Sequence, residues 1–326
     1  FNNTEHAANL FGLKEFGNIY SRLGNPTVGA LEARLTALEE GAMCVALSSG
    51  TSAVMYSLIN IMSQGDNFVT ANQLYGGTYT MFDNILPEYG IDSKKVDITD
   101  LAAVEDAIDE KTRAIYCETI TNPGLVVADI SALSEIAHSK GIPLIVDATF
   151  TTSAILKPFD YGADIVVYSL TKWMSGHGRV IAGAVIEKGG FDWGNGNFPL
   201  YDKPDTSYGG MRWGHDLGDL GNVAYSLRLR TVPLRNLGAN MGPETAFEVL
   251  SGLETLALRM ERHCENAIKA AEYLSSHELV EWVRFPGLKD DPAYELSEKY
   301  LKGTGGTMVV FGIKGGKDAG QKFIDN

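Results

Sequence analysis

Apolar strand candidates alternate with helical segments from about residue 28 to residue 188, and this predicts an α/β fold on a mostly parallel sheet. Two observations carry the prediction. The strand candidates are continuous apolar runs rather than alternating ones, as strands covered on both faces must be. A segment long enough for a crossover helix separates most of them, and parallel strands require such connections. A smaller α+β region is expected to follow toward the carboxyl end.

The elements follow in order. Val28 to Glu40 has helical spacing, with Leu31, Leu35 and Leu38 on one face. MCVALSSG (43–50) is an apolar run that ends in small polar residues, and TSAVMYSLINIMSQG continues as a helix that Gly65 stops. NFVTAN (67–72) reads as a strand, TYTMFDNILPEYG (78–90) as one helix and KKVDI (94–98) as a strand. A helix LAAVEDAID (101–109) precedes the strand RAIYCET (113–119), and ISALSEIAHSKG (130–141) is a helix with a glycine stop. PLIVDAT (143–149), DIVVYSL (164–170) and RVIAGAVIEK (179–188) are further strands. Residues 189–221 are rich in Gly, Pro, Asp and aromatics without any period, which suggests a long functional loop. From Glu244 a single long helix to His277 is predicted, then strands in VEWVRF (280–285) and GTMVVFGIK (306–314).

The 326 residues are 44% hydrophobic, enough for a large core without disulfide or metal staples. A formal net charge of −14 repels phosphate backbones and argues against a nucleic-acid partner. No run approaches the roughly 20 apolar residues of a membrane span, so no membrane association is expected. Cys44, Cys117 and Cys264 lie far apart without a CxxC pair, which fits packing thiols in a reducing cytoplasm and no metal site. The opening FNNTEH and the abrupt end at Asn326 suggest part of a longer protein.

In a parallel sheet, ligands bind beyond the carboxyl ends of the strands. That rule selects four stretches: Ser48–Thr51, Glu118–Asn122, Asp147–Thr149 and Ser169–Lys172. SSGTSA (48–53) combines a tight turn with a helix start, where free backbone N–H groups and the helix dipole favour an anion such as phosphate. Taken alone it could equally be an ordinary N-cap. Asp147 ends a buried strand, and its carboxylate needs a cation or several donors. It could cap the next helix, or hold the nitrogen of a cationic ring. Lys172 follows the hydroxyls of Ser169 and Thr171 and has the setting of an imine-forming amine, although surface lysines are far commoner. Tyr75 lies just past another strand end and could stack on a planar ligand, or could serve only as a turn aromatic. Tyr20 and Arg22 precede the first predicted domain, so Arg22 could reach a neighbouring subunit's phosphate more easily than its own. Together, a phosphate cradle, a carboxylate, a stacking aromatic and a strand-end lysine point to pyridoxal 5′-phosphate.

With these residues in hand, the chain resembles the Cys/Met-metabolism family of fold-type-I pyridoxal-phosphate enzymes. The resemblance is carried by YSRLGNPT (20–27), SSGTSA (48–53), LYGGT (74–78), ETITNP (118–123), VDAT (146–149), SLTKWMSGHG (169–178) and GLETLALRMERHCENA (252–267). It implies a sheet of the seven-stranded type in a large cofactor domain (25–243), an N-terminal arm (1–24) reaching the neighbouring subunit, and the start of a small carboxyl-terminal domain (244–326). TKW followed by GHG, with the aromatic insertion, is similar to the O-acetylhomoserine sulfhydrylase branch. Cystathionine γ-synthase and the cystathionine or methionine γ-lyases are the alternatives.

The resemblance also implies roles. Lys172 would bind the cofactor's aldehyde and shuttle protons, while Asp147 would keep the pyridine nitrogen protonated. Gly50 and Thr51 amides, with the Ser169 and Thr171 hydroxyls, would hold the phosphate, and Tyr20 and Arg22 would reach it from the partner. Tyr75 would stack on the ring and assist the leaving group, with Asn122 near the ring oxygen and Thr149 beside the ring. The substrates implied are O-acetylhomoserine and a sulfur donor, giving homocysteine in methionine biosynthesis. The assembly implied is a homodimer with shared sites, extended to a homotetramer. The family's arginine for the substrate α-carboxylate would fall beyond Asn326. VDAT carries Ala148 where the family usually has Asn.

Overall fold

In the computed structural model, which describes residues 1–326 apart from 13 and 16, seven strands form one sheet: β1 (Met43–Leu47), β2 (Asn67–Ala71), β3 (Asp92–Val96), β4 (Thr112–Glu118), β5 (Leu144–Asp147), β6 (Ile165–Ser169) and β7 (Gly183–Glu187). Their order is β1-β7-β6-β5-β4-β2-β3. The pairs β2–β3, β2–β4, β4–β5 and β5–β6 are parallel, whereas β7 runs antiparallel to both β1 and β6. The mostly parallel sheet expected from the continuous apolar runs is therefore present. Strands β1, β4, β5, β6 and β7 are buried along almost their whole length. A second, two-stranded antiparallel sheet joins β8 (Val280–Arg284) to β9 (Val310–Ile313).

Helix boundaries follow the caps. Asn25 accepts hydrogen bonds from the Thr27 and Val28 amides with Pro26 at the first turn, so the helix Pro26–Glu39 starts there and buries Leu31 and Leu35. Ser49 caps Gly50–Ile59 by accepting from the Ser52 amide, and Asp129 caps Ile130–Ser139 by accepting from the Ala132 amide.

Two predicted helices differ from expectation. Residues 78–90 do not form one helix: an α-helical turn Gly76–Thr80 passes into a π-helical stretch Met81–Ile85 and a 3₁₀ turn Leu86–Tyr89. Pro87 has no N–H with which to continue the ladder. The helix from Glu244 is two helices, Pro243–Leu253 and Leu256–Ser276, broken at Glu254–Thr255. The second helix packs against β8.

Away from the sheet's carboxyl edge, burial pushes two core carboxyls upward, Glu39 and Glu187. Glu39 accepts from the Tyr168 hydroxyl through Oε1 while Oε2 has no partner among the described residues, and its pKa is raised to about 7 by burial. Glu187 is raised to about 7 by burial, although the Ser226 amide and Trp193 indole donate to it. Because the folded chain binds more protons than the unfolded chain between about pH 4.5 and 7, stability is greatest at the acidic end of that window and falls as pH rises through it. Thermal melts from pH 5 to 8 are expected to show this fall. A Glu39→Gln variant is expected to flatten it while keeping an acceptor for Tyr168.

Candidate active site

Because β1, β2, β4, β5 and β6 point the same way, their carboxyl ends share one edge of the sheet. A cavity of about 690 Å³ opens beyond them. It is lined by Gly50 and Thr51 after β1, Tyr75 after β2, Glu118 and Asn122 at β4, Asp147 and Thr149 at β5, and Ser169, Thr171 and Lys172 at β6. Nine of the eleven residues singled out in the sequence thus meet in one place. Tyr20 and Arg22 are absent from its walls. Tyr20 is exposed, its ring lies 5.0 Å from the Arg22 guanidinium, and Arg22 donates to the Arg235 carbonyl.

One corner is built for an anion. The amides of Gly50 and Thr51, at the start of the helix Gly50–Ile59, donate to no group among the described residues. A side chain at Gly50 would come 2.8 Å from the Ser169 hydroxyl oxygen, so glycine is what lets this turn lie against the end of β6. The Thr171 hydroxyl is already engaged, donating to the Ala182 carbonyl at 3.2 Å and accepting from its amide at 3.0 Å. Thr149 accepts from the Ser169 amide at 2.8 Å, which ties the ends of β5 and β6 together.

Asp147 receives the Thr149 amide at 2.9 Å and the Tyr116 hydroxyl at 3.3 Å, and forms no ion pair among the described residues. Burial therefore raises its pKa. A ring nitrogen carrying a proton would supply the missing cation, so this carboxylate fits a pyridinium. The paired amides beside Ser169 fit its phosphate. Lys172 sits in a hydrogen-bonded turn after β6, its amide donating to Ser169 at 3.2 Å, and its side chain is exposed in the cavity. Ala148, by contrast, is fully buried and does not line the cavity. The family's usual Asn at that position is thus replaced on the core side.

Sequence reasoning assigned no role to Glu118. It is the register partner of Asp147 on the neighbouring strand, buried, and accepts from the Tyr75 amide at 2.8 Å and the Asn122 amide at 3.2 Å. One carboxyl thus ties two cavity loops to β4. Burial, with the charge of Asp147, pushes its pKa up to about 8. The strand-end rule reached this position, since Glu118 opens the stretch that contains Asn122. His263 and Met308 also line the cavity, from the carboxyl-terminal region; sequence reasoning assigned neither a role, although His263 lies in the motif 252–267.

Fold and cavity together define a pyridoxal-phosphate-dependent enzyme of the parallel-sheet type. More narrowly, the sequence profile of the Cys/Met metabolism PLP-dependent enzyme family matches residues 1–326, and the chain belongs to that family. It is 46% identical over 331 residues to an O-acetyl-L-homoserine sulfhydrylase of Leptospira meyeri, covering 100% of this chain and 75% of the relative. A homocysteine synthase of Schizosaccharomyces pombe is 45% identical, with 100% and 76% covered. Among solved structures, a Campylobacter jejuni protein assigned as an O-acetylhomoserine (thiol)-lyase superposes with a TM-score of 0.93 at 39% identity, over 96% of this chain and 77% of that one. It carries an N′-pyridoxyl-lysine-5′-monophosphate. Cystathionine γ-lyase of Lactobacillus plantarum, complexed with L-serine, gives 0.76 at 32% identity over 93% and 71%.

Proposed function

We propose that the protein is an O-acetylhomoserine sulfhydrylase. It replaces the acetate of O-acetylhomoserine with sulfur, so that with sulfide the products are homocysteine and acetate. The observation that carries the reading is the identity to relatives of that activity along the whole chain, with Lys172, Asp147 and Tyr75 gathered in one cavity. When bound, pyridoxal phosphate supplies an electron sink for negative charge that develops on the substrate carbons.

The chain's own residues do the rest. Lys172 would hold the cofactor's aldehyde through Nζ, and its amine would take and return protons at the substrate's Cα and Cβ. Asp147 holds the proton on the ring nitrogen. The Gly50 and Thr51 amides and the Ser169 hydroxyl hold the phosphate, and Thr171 joins them by turning its proton away from the Ala182 carbonyl. Tyr75, on the cavity wall, would cover the ring, and its hydroxyl would donate to the departing acetate oxygen. Asn122 and Thr149, which line the same cavity, would hold the ring from its edge.

Residues 1–24 are read as an arm, 25–243 as the cofactor domain and 244–326 as the start of the small domain. Tyr20 and Arg22 then complete the cavity of a second copy, in a dimer that pairs into a tetramer. Three buried, unpaired cysteines support a reducing cytoplasm.

Product analysis tests the reading. O-acetylhomoserine supplied with sulfide is expected to give homocysteine and acetate, and with sulfide and cysteine supplied together at equal concentration homocysteine is expected to remain the main product. Cystathionine as the main product, or keto acid and ammonia without added sulfur, would overturn it.

A further inference from the structure

The segment GLETLALRMERHCENA (252–267) has so far been given no task, yet it touches the chain that carries Lys172. The Arg259 guanidinium donates to the Trp173 carbonyl at 2.7 Å, to the Met174 carbonyl at 3.3 Å and to the Gly252 carbonyl at 2.8 Å. Its Nε donates to the Thr255 hydroxyl at 3.1 Å, which fixes the fork on its own helix. Four residues on, one turn along the same face, His263 packs its ring on that of Trp173 with centroids 4.8 Å apart. The residue directly after the lysine is thus held by its carbonyl and by its ring, both from the helix Leu256–Ser276.

The glycines on either side agree. Gly176 has φ +71°, and a Cβ there would overlap the Arg259 guanidinium. A Cβ on Gly252 would overlap the Ser175 carbonyl. Residues 173–176 therefore run through a slot whose walls are Gly252 and Arg259. No other donor among the described residues serves the carbonyls of Trp173 and Met174.

We propose that Arg259 is a positioning residue for Lys172: its guanidinium clamps the chain immediately after the lysine and so sets where Nζ stands in the cavity. This rests on the reading of Lys172 given above. It joins the carboxyl-terminal helix to the reacting amine, so the geometry at Lys172 depends on how that helix sits. A guanidinium is suited to this task because its planar fork holds donors on separate nitrogens in fixed directions, whereas an ammonium gathers its donors on one rotating nitrogen.

The test uses the full chain with Arg259→Met and Arg259→Lys. Apoprotein is mixed with pyridoxal phosphate and uptake is followed by the visible absorbance, alongside steady-state kinetics and thermal melts. Both variants are expected to take up the cofactor about tenfold more slowly and to lose about tenfold in kcat, roughly one charge-assisted hydrogen bond's worth of geometry, with KM within about threefold. Arg259→Lys keeps the charge and stem, so it reports on the clamp if the methionine variant fails to fold. Uptake and kcat within about twofold of the unaltered protein would overturn the proposal, as would losses that only track the fraction folded. Uptake does not involve the amino-acid substrate. A protein that ignores O-acetylhomoserine yet shows the uptake defect would refute the sulfhydrylase reading and leave the clamp standing.

Discussion

Lys172→Ala is expected to abolish both the visible absorbance of bound pyridoxal phosphate and turnover of O-acetylhomoserine, while leaving the fold intact. Removing a group that both anchors the cofactor and moves protons removes at least the 10²–10⁴-fold or so that positioned acid–base catalysis contributes. The fold should hardly notice. The Lys172 ammonium makes no hydrogen bond or ion pair among the described residues, and the turn around it is held by backbone bonds from Lys172 to Ser169 and from Gly176 to Lys172. Alanine keeps both. A melting temperature within a few degrees of the unaltered apoprotein, together with loss of colour and turnover, is therefore the expected signature. A variant that stays coloured and active would show that some other amine does this work.

Much of the site could be read from the sequence because it lies at strand ends. Continuous apolar runs such as PLIVDAT and DIVVYSL place the last polar residue at the sheet edge, whatever the order of strands. Asp147, Ser169 and Lys172 were therefore reachable by local reasoning. The antiparallel run of β7 was not, since RVIAGAVIEK has the same apolar profile as its parallel neighbours and only long-range pairing sets its direction. The break at Glu254–Thr255 was equally hidden, because both residues are compatible with a helix and packing decides the turn.

Arg259 illustrates the same limit more sharply. Among Arg259, Glu261, Arg262 and His263 it looks like one more charge on the exposed face of an amphipathic helix. The two carbonyls it holds beside Lys172 lie 85 and 86 residues away, and carbonyls carry no sequence signal. Glu118 was hidden for a related reason, since what it binds are amides rather than side chains. Residues that touch a ligand declare themselves by chemistry and position, whereas residues that hold backbone do so only once the chain is folded.

Asp147→Asn is expected to separate activity from stability in opposite directions. An ion pair between the carboxylate and a ring nitrogen at about 4 Å is worth roughly 4 kcal/mol at an effective dielectric near 20. Asparagine keeps the size, and its carbonyl oxygen still accepts the Thr149 amide that Asp147 takes at 2.9 Å, but it cannot hold a proton on the ring. Loss of that pair corresponds to a fall in kcat of about a thousandfold. The unliganded protein should gain, because burial raises the Asp147 pKa and the neutral amide removes the cost of ionising there. The sign follows from protons. A carboxyl raised in the folded state makes the fold less stable as pH climbs above the unfolded value, so the benefit of asparagine should grow from acid toward neutral pH. Kinetics and melts of apoprotein at pH 5 and pH 8 check both halves. Activity within tenfold of the unaltered protein would remove Asp147 from the chemistry. A lower melting temperature at pH 8 would mean that its carboxylate stabilises the fold through a partner other than the cofactor.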